Sequence, residues 1–398
     1  MPRRTVWMVA FMCAAPRLAA LAVFPPERTL YLTLALNLAE RGAYALDAKT
    51  TTYLEPFYPV LLAGARLVSG GMWWPMLVVQ IAIASLGGVA LFAIARARTG
   101  SDRVAWIAAG LYACSPYLVR QAASFMEITV ATTLAIAAVW SVDRARTAGR
   151  AAFAGLVFAA MALTRFSLLP AALGAIAVIA GREGWSRAAI AAGVTAAALT
   201  PWLLFSRATD GTLLPPRVGE NLFVSTGEWA DALVPRVNVD VLLPITEDLV
   251  RRELGPSYSL ADRDRLLRDR AVAYARAHPA RTIGLKLKNL ACILQPRLLP
   301  FTERSGSAEI VGGTLVIPPQ TRRPLAFELA AGGFQALLLI GGAAGVWKRR
   351  YHLAGADAIL LVVAASIAAV TVVFFPTSRL LAPMTFVLMF YTAVTCER

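Results

Sequence analysis

Charged side chains inside otherwise apolar stretches are the first candidates for chemistry in this chain. Ionisable groups at membrane depth are costly, so they usually mark a substrate or ion pathway. Six such residues lie in or beside apolar stretches: Arg17, Arg120, Glu127, Arg165, Arg207 and Arg379. Guanidinium groups bind phosphate through paired hydrogen bonds and stabilise the charge on a departing phosphate. The set therefore predicts a polar cavity suited to a phosphate-containing substrate.

Three carboxylates, Glu27, Glu55 and Glu127, are the candidates for a general base. Proline at 25–26 predicts a helix start that puts Glu27 in the first turn and Tyr31, four residues on, on the same face. A helix N-terminus attracts anions, so a phosphate beside Glu27 suits a transfer in which a base takes a proton and phosphate departs. The structural alternatives are a helix-dipole role for Glu27 and a solvated loop position for Glu55.

The other charges also have structural explanations. Glu127 and Arg120 flank a tight turn between two apolar segments, which fits an ion pair as well as a substrate contact. Arg17 and Arg165 would reach the membrane interface by extending along their helices. Arg379 lies in the loop between the last two apolar segments and is the best candidate for a phosphate ligand.

Two charged stretches later in the chain favour simpler roles. Lys286 and Lys288 lie on a basic amphipathic stretch, which predicts non-specific contact with lipid head groups. Asp262-Arg263-Asp264 matches the Asp-x-Asp pattern of nucleotide-sugar enzymes. Because this tripeptide lies on a predicted helix of alternating Arg and Asp, without a nucleotide-binding fold, we expect a solvated, salt-bridged face.

Other kinds of chemistry have few residues to support them. The chain has two His and four Cys, with no Cys-x-x-Cys or His-Glu-x-x-His spacing, which leaves little for a zinc site, a histidine-based triad or disulfides. It has no Gly-x-x-x-x-Gly-Lys loop and no Rossmann glycine cluster. We therefore expect no cofactor, and the sequence does not indicate a divalent metal.

The composition predicts a polytopic membrane protein. Of 398 residues, 58% are hydrophobic and 16% are charged, and the mean hydropathy is +0.61, which a soluble enzyme of this size could not bury. The net charge of +15 comes without basic stretches interleaved with aromatics, which argues against a nucleic-acid partner and for charged cytoplasmic loops. Ten segments are predicted as spans: 5–24, 73–95, 104–119, 124–142, 151–166, 167–181, 188–206, 326–347, 353–375 and 380–396.

The distribution of charge predicts the orientation of these spans. Basic residues fall on every second short loop, which places both termini in the cytoplasm. Arg17 and the lack of a small-residue cleavage site favour a retained first span over a signal peptide. The segments 25–72 and 207–325 are then extracytoplasmic, and the charged residues of the predicted cavity fall toward the outer side. The chain accordingly divides into 1–206, 207–325 and 326–398.

Three helices are predicted outside the spans. The first runs from the prolines at 25–26 to Gly42, with apolar residues at helical spacing and glycine past its end, and would lie in the membrane interface. The second is a short apolar helix over 60–69. The third spans 260–277 and starts at Ser259.

Several motifs occur in order along nearly the whole chain: Arg17, Glu27-Arg-Thr-Leu-Tyr31, Glu55-Pro-Phe-Tyr58-Pro59, Thr164-Arg165, Pro201-Trp202, Arg207, Asp210-Gly211, His278-Pro279 and Ser378-Arg379. Their order and topology resemble the GT-C membrane glycosyltransferases, in the branch of bacterial polyprenyl-phosphate-sugar transferases related to protein O-mannosyltransferases and aminoarabinose transferases. In that family an acidic residue four positions before a Tyr on the first outer loop is the proposed catalytic base. The resemblance implies this role for Glu27, which stands where the family usually has Asp.

The resemblance implies an all-α integral membrane protein, a GT-C type bundle of about ten transmembrane helices with interfacial helices and an extracytoplasmic segment. It also implies an inverting hexosyl- or pentosyltransferase that moves a sugar from a polyprenyl-phosphate donor to a lipid, glycan or protein acceptor on the outer face of the bacterial inner membrane. The expected substrate- and phosphate-binding residues are Tyr31, Glu55, Tyr58, Glu127, Arg165, Arg207 and Arg379. Two alternatives stay open: a ligase that uses a lipid-diphosphate oligosaccharide, and a transporter or flippase of a lipid-linked saccharide.

Overall fold

The computed structural model describes residues 1–46, 49–213, 215–302, 304–305, 307–311, 314–317 and 319–397. Most of them are helical, because an apolar segment satisfies its backbone groups within a helix. The α-helices are α1 (Arg3–Val23), α2 (Leu30–Arg41), α3 (Phe57–Val68), α4 (Trp74–Thr99), α5 (Asp102–Cys114), α6 (Pro116–Ala122), α7 (Ile128–Val142), α8 (Ala148–Thr164), α9 (Leu169–Glu183), α10 (Trp185–Asp210), α11 (Val218–Thr226), α12 (Ala230–Leu233), α13 (Leu243–Leu254), α14 (Leu260–Ala277), α15 (Pro279–Ile293), α16 (Leu325–Lys348), α17 (Ala358–Val373), α18 (Ser378–Leu381) and α19 (Thr385–Thr395).

Short turns and strands complete the described residues. The 3-10 turns are Phe166–Leu168, Val239–Leu242, Arg350–His352 and Ala382–Met384. The strands are β1 (Ala45–Leu46), β2 (Lys49–Thr50), β3 (Arg304–Ser305), β4 (Glu309–Val311), β5 (Thr314–Val316) and β6 (Gln320–Thr321). They pair antiparallel as β1 with β2, β3 with β6, and β4 with β5.

Six helices among the described residues are long and apolar enough to cross a membrane: Arg3–Val23, Trp74–Thr99, Phe166–Glu183, Trp185–Asp210, Leu325–Lys348 and Ser378–Thr395. Shorter apolar helices are Phe57–Val68, Ile128–Val142, Ala148–Thr164 and Ala358–Val373. By length and composition, the chain is thus a multi-pass membrane protein. The count of ten spans stays a prediction, as does the extracytoplasmic position of 207–325.

Proline divides two of the predicted spans. The segment 104–119 forms α5 and α6, with an extended Ser115 between them and Pro116 at the start of α6. The segment 380–396 begins with α18 and a 3-10 turn that contains Pro383 before α19. Proline lacks a backbone N–H and cannot continue a helical hydrogen-bond ladder, so each helix restarts at or after it.

The chain forms two compact units. The first contains Met1–Trp202, Phe334–Ile367 and Ala382–Arg398, and the second contains Leu203–Gly333 and Ala368–Leu381. Glycines permit close helix contact within the first unit. A Cβ atom on Gly88 of α4 would overlap Cys13 of α1, and one on Gly345 of α16 would overlap the backbone at Tyr391 of α19. Small residues at such crossings are typical of helices packed in a membrane.

Five charged residues join helix ends in the first unit, and we call them the five-charge cluster: Arg98, Asp143, Arg182, Arg349 and Asp357. Nη2 of the Arg98 guanidinium donates to both Asp143 oxygens at 2.8 Å, and its Nη1 lies 3.1 Å from Asp357 Oδ1. Arg349 Nε lies 2.7 Å from Asp357 Oδ2, and Arg182 lies 3.3 Å from Asp143. The Asp357 side chain is 0% exposed and that of Arg98 is 4% exposed. The cluster links the C-terminal ends of α4, α7, α9 and α16 with the start of α17.

The second unit has its own core, in which α11 packs against α14. Its buried residues include Val224, Leu233, Val241, Leu242 and Ile245. The predicted helix over 260–277 is confirmed as α14, and the hydroxyl of its N-cap, Ser259, accepts the Asp262 N–H at 3.1 Å.

The prediction of a solvated face at Asp262-Arg263-Asp264 is wrong for two of the three residues. Arg263 is 5% exposed and pairs with Glu220 at 2.5 Å, and Asp264 Oδ1 accepts the Gly219 N–H at 2.6 Å. The burial that accompanies this contact raises the pKa of Asp264. The face is buried because α11 packs against this side of α14, and Glu220 of α11 neutralises the buried Arg263 guanidinium.

Candidate active site

Glu27 lies in the linker between α1 and α2. The prediction that it belongs to the first turn of the helix is wrong, because α2 begins at Leu30 with Thr29 as its N-cap. The Thr29 hydroxyl accepts the Leu32 N–H at 3.3 Å, and a threonine side chain satisfies a helix start that proline cannot. Glu27 is exposed, whereas Tyr31 is 5% exposed. The two residues therefore do not share a helix face, although the predicted end at Gly42 is confirmed by its left-handed φ of 65°.

The Glu27 linker is attached to the turn before α7. The Thr29 hydroxyl also donates to the Phe125 carbonyl at 2.6 Å. Thr29 follows Glu27 by two residues, and Phe125 precedes Glu127 by two. This bond brings the segments that carry the two carboxylates to the same end of the first unit.

Glu55 is half-buried and hydrogen-bonded, so its predicted position as a solvated loop acid is wrong. Its Oε1 accepts the backbone N–H of Phe166 at 2.9 Å. The Tyr44 hydroxyl donates to the carbonyls of Leu54 at 3.0 Å and Glu55 at 3.2 Å. Burial raises the pKa of Tyr44 well above its usual range, so this hydroxyl remains a donor. The first loop is thereby joined to the start of the 3-10 turn after α8.

Arg165 lies in the break between α8 and α9 and pairs with Glu127. Its backbone is extended, with φ −159° and ψ 108°, and its Nη1 lies 3.6 Å from Glu127 Oε1. The side chains are 14% and 1% exposed, respectively. Snorkelling to the interface is thus the wrong explanation for Arg165, because the charge is compensated inside the unit. Glu55 holds the neighbouring backbone at Phe166, so Glu55, Glu127 and Arg165 come together.

A buried tyrosine pair lies in the same region. The rings of Tyr31 and Tyr58 meet edge to face with 5.4 Å between centroids. The Tyr58 hydroxyl donates to Gln80 Oε1 at 2.5 Å, and Gln80 Nε2 donates to the carbonyls of Ala122 at 3.0 Å and Ser124 at 2.9 Å. Tyr58 and Gln80 are both 0% exposed. Gln80 was missed from the sequence, although an amide inside the apolar segment 73–95 was a usable signal.

Arg17 and Arg120 make other contacts. Arg17 is 0% exposed, donates to the carbonyls of Cys13 at 2.7 Å and Tyr112 at 3.2 Å, and lies 4.7 Å over the Tyr112 ring. Arg17 therefore packs between helices instead of extending to the interface. The Arg120 guanidinium lies 5.6 Å over the ring of Phe24.

The two remaining arginines belong to the second unit. Arg207 is exposed near the end of α10, and Arg379 is half-buried in α18. Their roles as phosphate ligands stay predictions. Among the residues that the structure describes, no group of three His, Cys, Asp or Glu side chains is arranged to hold a metal ion.

No protein-family model matches the chain, and no curated protein matches it. Solved structures are nevertheless similar. The apo oligosaccharyltransferase of Archaeoglobus fulgidus has a TM-score of 0.53 and 15% identity, over 99% of this chain and 50% of that chain. The same enzyme tethered to an acceptor peptide has a TM-score of 0.54 and 15% identity, over 99% of this chain and 49% of that chain. ArnT of Cupriavidus metallidurans bound to undecaprenyl phosphate has a TM-score of 0.44 and 13% identity, over 99% and 78% of the two chains.

The fold is therefore that of the oligosaccharyltransferase structures, which agrees with the GT-C type bundle that the sequence motifs predicted. The chain spans about half the length of the oligosaccharyltransferase structures it matches. At this identity the likeness establishes the fold, and fold does not specify chemistry.

Proposed function

We propose that the protein is an inverting glycosyltransferase that moves a sugar from a polyprenyl-phosphate donor to a lipid, glycan or protein acceptor. The observation that carries the proposal is the GT-C fold over 99% of the chain. The grouping of Glu55, Glu127 and Arg165 at one end of the first unit gives that fold a polar region where such chemistry can occur. The proposed location is the outer face of the bacterial inner membrane, with both termini in the cytoplasm.

The proposed reaction needs a base and a stabilised leaving group. The acceptor hydroxyl oxygen attacks the anomeric carbon of the sugar while the bond from that carbon to the phosphate oxygen breaks. The Glu27 carboxylate takes the hydroxyl proton, and the polyprenyl phosphate leaves with the bonding electron pair. Glu27 is an exposed residue of the linker between α1 and α2. Attack from the side opposite the phosphate inverts the anomeric configuration.

Arginine side chains would stabilise the departing phosphate. Arg379 and Arg207 are proposed as phosphate ligands, because guanidinium forms paired hydrogen bonds to phosphate oxygens. Arg165, which lies 3.6 Å from Glu127, is proposed as a substrate-binding residue of the first unit. Glu55 supports Arg165 through the backbone of Phe166.

A transfer assay tests the proposal directly. Purified full-length protein in detergent, given polyprenyl-phosphate sugars and envelope acceptors, should release polyprenyl phosphate. Glu27→Gln should lower kcat by about 10²–10⁴, the usual contribution of a general base. The matched control is Glu40→Gln near the end of α2, because Glu40 pairs with Arg66 on the surface and its replacement should leave kcat unchanged. Full activity in Glu27→Gln would remove Glu27 as the base.

A second candidate is transfer of an oligosaccharide from a lipid diphosphate. The similarity to oligosaccharyltransferase structures, with TM-scores of 0.53 and 0.54, supports this second reaction. Product mass separates the two reactions, since one adds a single sugar and the other a whole chain. Movement of a labelled lipid-linked saccharide across the liposome membrane without covalent transfer would contradict both transferase reactions and support a flippase.

A further inference from the structure

Two side chains of α15 cap the end of α17 within the second unit. The last carbonyls of a helix have no partner inside it. Asn289 Nδ2 donates to the carbonyls of Val372 at 3.0 Å and Phe374 at 3.1 Å. Lys286 Nζ donates to the carbonyl between them, that of Val373, at 2.6 Å. Three successive carbonyls are therefore held by residues one helical turn apart.

Lys286 also holds the end of α11. Its ammonium donates to the Ser225 carbonyl at 3.0 Å and to the Thr226 hydroxyl at 3.2 Å. Together with Val373, these contacts use all three donors of the ammonium group. A positive charge at the C-terminal ends of two helices is favourable because both ends carry partial negative charge. Lys286 thus joins three helices, and its ammonium is bound by the protein instead of the predicted lipid head groups.

The segment after α17 is fixed at further points. Phe375 packs against the core of the second unit. The Ser378 N–H donates to the Leu299 carbonyl at 2.8 Å, and the Leu299 N–H donates to the Ser378 hydroxyl at 2.8 Å. The Thr377 hydroxyl accepts the Leu380 N–H at 3.2 Å. The residue that lies between these fixed points is Arg379.

We propose that Lys286 and Asn289 are positioning residues, which hold the segment that carries Arg379 so that its guanidinium is preorganised for the phosphate of the lipid donor. This inference rests on the phosphate role proposed above for Arg379. An arginine on a loosely held segment would lose conformational entropy when phosphate binds. Lys286 and Asn289, which we call the clamp, remove part of that loss before binding. The role of Lys286 is indirect, because its ammonium donates to two carbonyls and one hydroxyl of the protein and does not contact the lipid phosphate.

A double-mutant cycle on binding tests this inference without requiring turnover. The full-length protein in detergent is titrated with a long-chain polyprenyl monophosphate, and Kd is measured for Lys286→Met, Arg379→Ala and the double variant. We expect Lys286→Met to raise Kd roughly tenfold alone and less than about twofold when Arg379 is already Ala, because coupled residues are not additive. Lys286→Arg keeps the cation and should restore most of the affinity.

Lys288, two residues after Lys286 on α15, is the matched control. Lys288 Nζ donates to the Asp231 carbonyl at 3.2 Å on α12, so Lys288→Met should leave Kd unchanged. Equal losses from Lys286→Met in both Arg379 backgrounds would overturn the positioning role and show a general structural one. If Lys286→Met does not fold, Asn289→Leu serves in the same cycle. Non-additive changes in Kd without any sugar transfer would reject the proposed enzyme activity but retain the positioning role of Lys286 and Asn289. An unchanged Kd in Arg379→Ala would overturn that positioning role as well.

Discussion

The first unit has polar groups at both ends of α4 and α7, and the two ends are built differently. Gln80 and Glu127 lie at the N-terminal ends, and Arg98 and Asp143 lie at the C-terminal ends. At 1.5 Å per residue, Gln80 and Arg98 are about 27 Å apart along α4, close to the thickness of a bilayer core. A single pair of neighbouring helices thus connects the candidate site with the five-charge cluster.

Contact geometry distinguishes the two ends. In the five-charge cluster, carboxylates and guanidinium groups touch at 2.7–3.3 Å, and Arg349 binds Asp357 in a bidentate pair. In the candidate site, Arg165 and Glu127 are 3.6 Å apart, and Glu55 accepts a backbone N–H. Close opposite charges hold helix ends together in the cluster, whereas the Glu127–Arg165 pair joins the turn before α7 to the break after α8. We therefore expect changes in the cluster to affect stability and changes to the Glu127–Arg165 pair to affect activity.

The largest effect is expected in the five-charge cluster. Asp357→Asn leaves Arg98 and Arg349 without their shared counter-ion, which should lower the free energy of unfolding by about 3–5 kcal/mol. Thermal or denaturant unfolding in detergent measures this loss. Asp102→Asn is the control, because its partner Arg96 and Asp102 are exposed, and we expect a change below about 1 kcal/mol. Similar losses in both variants would contradict the assignment of the cluster to stability.

The next effect concerns the buried tyrosine in the site. Tyr58→Phe removes the hydroxyl that donates to Gln80 Oε1 and leaves that buried acceptor unsatisfied. The expected loss is about 1–3 kcal/mol in the free energy of unfolding. Tyr351→Phe, at an exposed tyrosine, provides the comparison and should unfold like the unmodified protein. A stable Tyr58→Phe with impaired transfer would instead show that the hydroxyl contacts substrate.

A smaller effect, on activity, is expected at Arg165. Arg165→Lys keeps the charge near Glu127 but loses the planar guanidinium, which should lower kcat/KM roughly tenfold. Transfer assays at varied donor concentration measure this ratio. Arg103→Lys, at an exposed arginine of α5, should leave kcat/KM unchanged. If Arg165→Lys instead loses as much stability as Asp357→Asn, the two ends of the unit do not differ as proposed.

The smallest effect is expected from pH. Burial lowers the pKa of Lys286 to about 8, so its ammonium is present below that pH and lost above it. The neutral amine has two N–H donors for three acceptors, all of them neutral: the carbonyls of Ser225 and Val373 and the hydroxyl of Thr226. We expect the affinity for polyprenyl monophosphate to fall by a factor of a few between about pH 7 and about pH 9.5.

Lys286→Arg isolates this titration. Arginine stays charged over the whole range, so the fall in affinity above pH 8 should disappear in that variant. The charged neighbours Lys288, Arg281 and Asp231 have contacts of their own and remain in both proteins. An identical pH profile in both proteins would show that Lys286 does not report on the phosphate site.

Local signals in the sequence predicted much of the fold. The apolar segments, the glycine at the end of α2 and the Ser259 cap of α14 each act within a few residues, so the helices they define could be anticipated. The start of α2 was misplaced because two prolines competed with the Thr29 cap. Residue type made Glu55, Glu127 and Arg165 candidates, but the Tyr58–Gln80 hydrogen bond and the Glu127–Arg165 pair could not be predicted, because each joins distant segments.

The sequence by itself determined that this is a helical membrane protein, and its ordered motifs indicated the GT-C fold, because hydropathy and short motifs are local properties. Only the tertiary structure decided which charges neutralise each other. Arg98, Arg165 and Lys286 each carry the same charge, yet Arg98 lies against two carboxylates, Arg165 against Glu127, and Lys286 against three neutral acceptors. Their partners come from segments far apart in the chain, and the energy of a buried charge depends on those partners.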